Sequence, residues 1–378
     1  MKLQLLSLLV GCSLLACTSQ SEEKTVDSTT ENTTEMLTLL VGTYTGQGSD
    51  GIYSVQFDPS TGVLSKSQLL VETTSPSFLA YSQDKQKVYA VNETENGGVS
   101  SFAWDENKSK LKLVSRRASE GDYPCYVSIN PSETLVSVAN YGTGNVISYP
   151  IDKSGVIATA GDIQQHEGTG TNPDRQEGPH AHFAQYSKDG TQLYAIDLGI
   201  DQVIKYPVTG GKIGAGETAL NLEPGDGPRH LVFHPTKALV YVISELSSTV
   251  TTAQVNEDGT FETVAQISTL PENIEGDSYC ADIHISDDGR YLYASNRGHN
   301  SIAIFSVDEE TGALARIANE PVQGDWPRNF CLTPDNKHIL VANQKSDNIT
   351  VFERDDATGM MHFTGNEIKI SQPVCVIF

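Results

Sequence analysis

Apolar and polar positions alternate along this chain in short runs, and the same order of runs returns seven times. Each copy opens on a proline or a small residue. An apolar strand follows, then a polar turn, then a second strand that ends in a small polar residue. The turns are Ser82-Gln83-Asp84, Asn130-Pro131-Ser132, Ser187-Lys188-Asp189-Gly190, His234-Pro235-Thr236, Ser286-Asp287-Asp288-Gly289 and Thr333-Pro334-Asp335-Asn336. The second strands run into Asn92, Asn140, Asp197, Ser244, Asn296 and Asn343, with Val41-Gly42 as their counterpart near the start. From Gly42 onward, successive ends lie 50, 48, 57, 47, 52 and 47 residues apart. A period near 50 built of short strands predicts a β-propeller. Helical apolar periods are scarce and Val, Ile, Tyr and Thr alternations abundant, so the expected class is all-β.

The two ends of the chain predict how the ring closes. First strands start near Pro76, Pro124, Pro179, Pro228, Cys280 and Pro327. Pro373 to Phe378 is a seventh such start, and Leu37 to Val41 is a second strand without a first. The tail is therefore expected to supply the innermost strand of the blade that the N-terminal segment begins. Seven blades closed in this way leave no open sheet edge between the first copy and the last.

Charge narrows the partners. With 48 acidic against 25 basic residues, the net charge is −23, which argues against nucleic acid or an anionic membrane surface. Met1-Lys2 precedes an apolar run from Leu3 to Leu15, too short to span a bilayer. Leu14-Leu15-Ala16-Cys17 is a lipobox, so residues 1–17 read as a bacterial lipoprotein signal with Cys17 lipidated. Residues 18–35 read as a disordered Ser/Thr/Glu-rich tether and residues 36–378 as the propeller. The expectation is a monomer in the cell envelope, periplasmic or on the outer membrane, touching lipid only through Cys17. Cys125, Cys280, Cys331 and Cys375 fall on predicted innermost strands without zinc spacing and are expected to be buried free thiols.

Connectivity locates the chemistry. In an antiparallel blade the innermost strand starts on the face where the second strand ends, so both places converge on one mouth of the central channel. The first set of positions is Ser77, Cys125, His182, Arg229, Ala281, Arg328 and Val374. The second is Thr43, Glu93, Tyr141, Leu198, Glu245, Arg297 and Gln344. Three arginines at one mouth of so acidic a chain form a natural clamp for carboxylate or phosphate. Several of these residues have plainer readings: Arg328 as a bridge between blades, Glu245 as an ion-pair partner of Arg229, Glu93 as a solvated rim residue. His230, Asp282 and His284 fall on the opposite strand face, where buried Asp–His bonding between blades explains them at least as well as catalysis. His180 and His182, at i and i+2, could serve as base and support. The Gly-rich stretch from Gln164 to Gly178, the source of the long 57-residue step, is expected to overhang the same mouth as a lid. No nucleophile elbow, P-loop or dinucleotide fingerprint occurs, and neither a metal nor a cofactor is expected.

Particular segments add a resemblance. Ala281-Asp282-Ile283-His284-Ile285-Ser286 through Asn296-Arg297-Gly298-His299-Asn300-Ser301-Ile302 resembles a signature of the seven-bladed propeller lactonases. That is the bacterial 6-phosphogluconolactonase type, related to the carboxy-cis,cis-muconate cyclases. Gly178-Pro179-His180-Ala181-His182, Gly227-Pro228-Arg229-His230 and Val41-Gly42-Thr43-Tyr44-Thr45 match as well. The resemblance implies a pocket of His180 or His182, Arg229, Glu245 and Arg297, and the ring positions add Arg328 and Glu93 as expected substrate-binding residues. It further implies metal-independent hydrolysis of an anionic sugar-acid lactone, a histidine or Glu245 taking the proton from water. Two other readings stand beside it: a cyclase-like lyase acting on a dicarboxylate, and a non-enzymatic binding propeller in the envelope.

Overall fold

The computed structural model describes residues 35–378, which form seven antiparallel sheets and no helix. The lipobox with Cys17 and the tether up to residue 34 lie outside the described residues. All blades but the first are built outward in chain order. In the third, Pro124–Ile129, Leu135–Asn140, Asn145–Pro150 and Asp162–Gln165 pair in that sequence. Second strands such as Leu135–Asn140 and His338–Asn343 are buried at every position. Neighbouring blades cover both of their faces, which is why they read as continuous apolar runs. Outermost strands such as Phe261–Ser268 lie exposed over most of their length.

The polar turns are local devices. The hydroxyls of Ser82, Ser187, Ser286 and Thr333 each donate to the Asp two residues on, at 2.6 to 2.7 Å. The tyrosines of the second strands tie one blade to the next. Tyr194, Tyr241 and Tyr293 donate to the carbonyls of Gly259, Gly312 and Gly359 in the following blade's outer hairpin, at 3.1, 2.9 and 2.8 Å. Gly359 is required there: its φ is +71°, and a Cβ would come within 2.2 Å of the Tyr291 ring.

Closure follows the expectation. Pro373–Ile377 pairs antiparallel with Leu37–Thr43, in the register Leu40 to Ile377, Val41 to Val376 and Gly42 to Cys375. Cys125, Cys280, Cys331 and Cys375 are buried free thiols.

Candidate functional site

Six of the seven blades break register at the same place in the innermost strand. The residues left out of the ladder are Cys125, His182, Arg229, Arg328 and Val374, and in the sixth blade Ala281 with Asp282. A bulge releases its extra residue from the ladder and re-aims that side chain. One backbone device thus presents the first predicted ring at the channel. The second ring comes from residues just past the second strands. Glu93, Tyr141, Leu198, Glu245 and Gln344 each donate their amide to a carbonyl ahead of the innermost strand. In the first blade this place belongs to Tyr44, whose amide bonds the Gln372 carbonyl at 3.1 Å, and not to Thr43. Thr43 pairs with Pro373 as Asn140 pairs with Pro124, and its hydroxyl is sealed against Ser49 and Gly51. The small polar terminator of that strand is Thr43 rather than Gly42, so the predicted ring was one residue out of step.

Cys125, His182 and Arg328 of the first ring and Glu93, Tyr141, Glu245, Arg297 and Gln344 of the second line a cavity of about 490 Å³. On one side stands Glu245, 7% exposed, clasped by three guanidinium groups: Arg175 Nη2 at 2.7 Å, Arg297 Nη2 at 2.7 Å and Arg229 Nε at 3.1 Å. Burial alone would raise its pKa, but Arg297, Arg229 and Arg175 override burial and hold the carboxyl far below the usual carboxylate range. A carboxylate so stabilised is a very weak base, which removes Glu245 from the part of proton acceptor and makes it the anchor of three cations. Arg229 is buried beneath the cavity rather than in its wall. Burial, then the charges of Arg297 and Arg328, push its pKa down to about 10, and it remains a cation at neutral pH. Arg297 also donates to the Cys280 carbonyl at 2.8 Å, and its guanidinium lies 5.4 Å from the Trp326 ring centre.

On the opposite side Glu93 accepts hydrogen bonds from Tyr44 Oη at 2.7 Å and from the Ser77 hydroxyl. Its side chain is only 13% exposed, so it is a wall residue and not a solvated rim. Arg328 reaches no closer to it than 3.8 Å, lies 5.2 Å from the Tyr44 ring centre, and makes no hydrogen bond among the described residues. Its donors are free for a ligand.

The two histidines part company. His182 lines the cavity, and its buried Nδ1 has no partner among the described residues. Burial first, then the Arg229 charge and the neighbouring His230 and Arg328, hold its pKa well below the ordinary histidine range, so it is neutral. His180 does not reach the cavity. It stacks on Tyr141 at 4.5 Å, with Nδ1 2.9 Å from the Tyr141 carbonyl oxygen and Nε2 3.3 Å from Glu177. The imidazole available to a substrate is that of His182.

The insertion is a buttress rather than a lid. His166 places Nδ1 2.6 Å from Asp197 and Nε2 2.6 Å from Tyr206. The buried Gln176 donates to the Leu198 carbonyl and to Asp201, each at 2.8 Å. Pinned at both places, the loop delivers Arg175 to Glu245 and, at 3.3 Å, to Tyr141 Oη. Sequence reasoning missed Arg175, although a basic residue in a loop expected at this mouth was a usable signal. On the other strand face His230 and Asp282 form the expected bond between blades, Asp282 lying 2.9 Å from His230 Nδ1, while His284 Nε2 meets Asp282 at 3.0 Å within one strand.

With the geometry in place, similarity to known proteins adds direction. The family described as "Lactonase, 7-bladed beta-propeller" matches residues 38–378. The chain is 33% identical over 340 residues to a Bacillus subtilis protein named 6-phosphogluconolactonase, covering 89% of this chain and 97% of that one. A Formosa agariphila protein of the same name is 34% identical over 313 residues, 78% of this chain and 86% of the other. Among solved structures, the Pseudomonas aeruginosa periplasmic gluconolactonase superposes with a TM-score of 0.86 at 30% identity, over 91% of this chain and 99% of that one.

Proposed function

The chain belongs to the seven-bladed β-propeller lactonases, carboxylic-ester hydrolases of the 6-phosphogluconolactonase type, and from that premise we propose that it opens an anionic sugar-acid lactone at the Arg-lined cavity. The observation that carries this reading is the charge inside the cavity. Arg175, Arg297 and Arg328 in the wall, with Arg229 directly beneath, stand against Glu93 and Glu245, an excess of two positive charges around a neutral His182. Arg328 takes the substrate's anionic group through its unused donors. His182 accepts a proton from the attacking water and returns it to the ring oxygen as the acyl C–O bond breaks. Arg297 in the wall and Arg229 beneath it stabilise the oxyanion that develops on the lactone carbonyl. Glu93 supplies an acceptor for substrate hydroxyls, and its charge opposes a second carboxylate. That favours a sugar-acid lactone over the dicarboxylate of a cyclase-like reaction.

Export fits the same reading. A lipoprotein signal ending at Cys17, a tether over 18–35 and a propeller over 36–378 would hold the enzyme in the envelope as a lipid-anchored monomer. The P. aeruginosa relative described as periplasmic supports that location. The substrate there is an unphosphorylated aldonic lactone or a phosphorylated one. A pH-stat assay over neutral, carboxylated and phosphorylated lactones separates them, the expected result being acid release fastest with an anionic lactone. Arg229→Ala and Arg297→Ala should each lower turnover by about 10²–10³ while the protein stays folded. An unchanged rate in both would overturn the assignment. Absence of turnover on every lactone, with tight binding of a glycan or protein, would favour the binding propeller.

A further inference from the structure

Beneath the cavity, on the far side of Arg229, a buried row of titratable groups is left unused by the lactone chemistry. His230 Nε2 lies 3.4 Å from Arg229 Nη1, and His230 Nδ1 lies 2.9 Å from Asp282 Oδ1. An arginine can only donate and an ionised carboxylate can only accept. These two partners therefore fix one tautomer of His230, with the proton on Nδ1 and the lone pair on Nε2 facing Arg229. Burial, then the charge of Arg229, push the His230 pKa down to about 4, so the ring is neutral under working conditions. Asp282 stays charged because His284 and His230 outweigh its burial.

Asp282 is itself immobilised. Its Oδ2 accepts from Asn329 Nδ2 at 2.6 Å, from His284 Nε2 at 3.0 Å and from the Phe330 amide at 3.3 Å. A tie between blades would need only one such bond. Here a saturated carboxylate aims an imidazole whose remaining lone pair ends on an arginine of the site. Arg229 is otherwise held by Glu245 at Nε and by the Ala281 carbonyl, 2.5 Å from Nη1. Its Nη2 is left without a partner among the described residues.

We infer that His230 and Asp282 are positioning residues for Arg229, fixing the plane of its guanidinium and leaving Nη2 to the substrate. The inference rests on the lactonase reading above. Its chemistry is that of an orienting pair: a carboxylate sets a tautomer, and the tautomer sets an arginine.

The test uses the whole protein and a lactone that the wild type hydrolyses. His230→Phe keeps a ring but loses the acceptor. It should lower kcat about 10-fold, on the scale of hydrogen-bond partners one layer behind a site, with KM little changed. His230→Gln can donate to Asp282 and accept from Arg229, and should recover most of that loss. In Asp282→Asn the amide oxygen meets the three donors at Oδ2, so the amide NH₂ faces His230 Nδ1. The tautomer then reverses, an N–H points at Arg229, and kcat falls as in His230→Phe. Imidazole ¹⁵N shifts of His230 read that reversal without any assay of turnover. In an Arg229→Ala background, His230→Phe should add no further loss. The inference is overturned if His230→Phe melts earlier yet keeps its kcat, or lowers kcat equally with and without Arg229. If His230→Phe does not fold, wild-type kcat in Asp282→Asn, or an unchanged His230 tautomer there, overturns it instead. A wild type that turns over no lactone sinks the lactonase reading, and the tautomer measurement still decides this one.

Discussion

Replacing Glu245 by Gln tests the centre of the site, because one buried carboxylate holds Arg175, Arg229 and Arg297 at 2.7, 3.1 and 2.7 Å. Removing one partner of a buried ion pair costs about 3–5 kcal/mol, since the other charge stays buried and unpaired. A glutamine keeps one oxygen for one or two of the three guanidinium groups, which places the cost near the lower end, about 3 kcal/mol. At about 2.1 cal/mol/K per residue, a ring of roughly 340 residues has an unfolding entropy of about 0.7 kcal/mol/K, so Tm should fall by about 4 °C. The pH dependence has a definite sign. The folded pKa of Glu245 is depressed, so its contribution is complete above the unfolded value of about 4.3 and is lost as the pH falls toward the folded one. The Tm gap between wild type and variant should therefore be constant from pH 7 to 5 and narrow only in stronger acid. Three guanidinium groups without their counter-charge should also bind sulfate, and a free anion at about 100 times its Kd restores about 2.7 kcal/mol. Scanning calorimetry with and without sulfate measures both effects. A variant that melts with the wild type, or sulfate that raises both equally, would refute the clasp. A collapse of kcat with no change in Tm would return Glu245 to the role of base.

Other substitutions separate the remaining roles. His182→Gln should abolish most turnover while His180→Ala retains it, as steady-state kinetics on one lactone will show. Because burial, Arg229, His230 and Arg328 depress the His182 pKa, kcat/KM should stay flat as pH falls through 6.5 and break only below it. Arg328→Met should move that break upward, and a wild-type break at or above 6.5 would count against His182 as the base. Arg175→Ala removes a charged hydrogen bond worth about 1.5 kcal/mol, so KM for an anionic lactone should rise about tenfold. An unaltered KM would mean that Arg175 serves Glu245 alone.

The scaffold was legible because a propeller repeats its burial. Each second strand is covered on both faces, so its apolar run stands out in every copy, and the copies could be counted and closed into a ring. Aligning them recovered the site ring except in the first blade, where Gly42 resembles the small terminator of the other copies and Thr43 fills its place. Arg175 escaped for the converse reason. It sits in the one insertion that has no counterpart in another blade, so no alignment assigns it a place, and its route to Glu245 depends on His166 and Gln176 being pinned across a loop.

The histidine pair shows where sequence periodicity gives out. On a regular strand residues i and i+2 share a face, so His180 and His182 could be taken as partners at one site. The innermost strand breaks its register between Ala181 and Phe183, with His182 as the residue outside the ladder. Alternation is therefore reset between the two histidines: His182 turns into the channel while His180 stays behind Tyr141. Arg229 and Arg328 stand at the same break in their own blades. A bulge depends on the partner strand, so no run of apolar and polar residues announces it. Its recurrence at one place in six blades turns a fault in pairing into a fixed mount for the site. Chemistry could then differ from blade to blade by a single side chain at each mount, with the strands that carry it left unchanged.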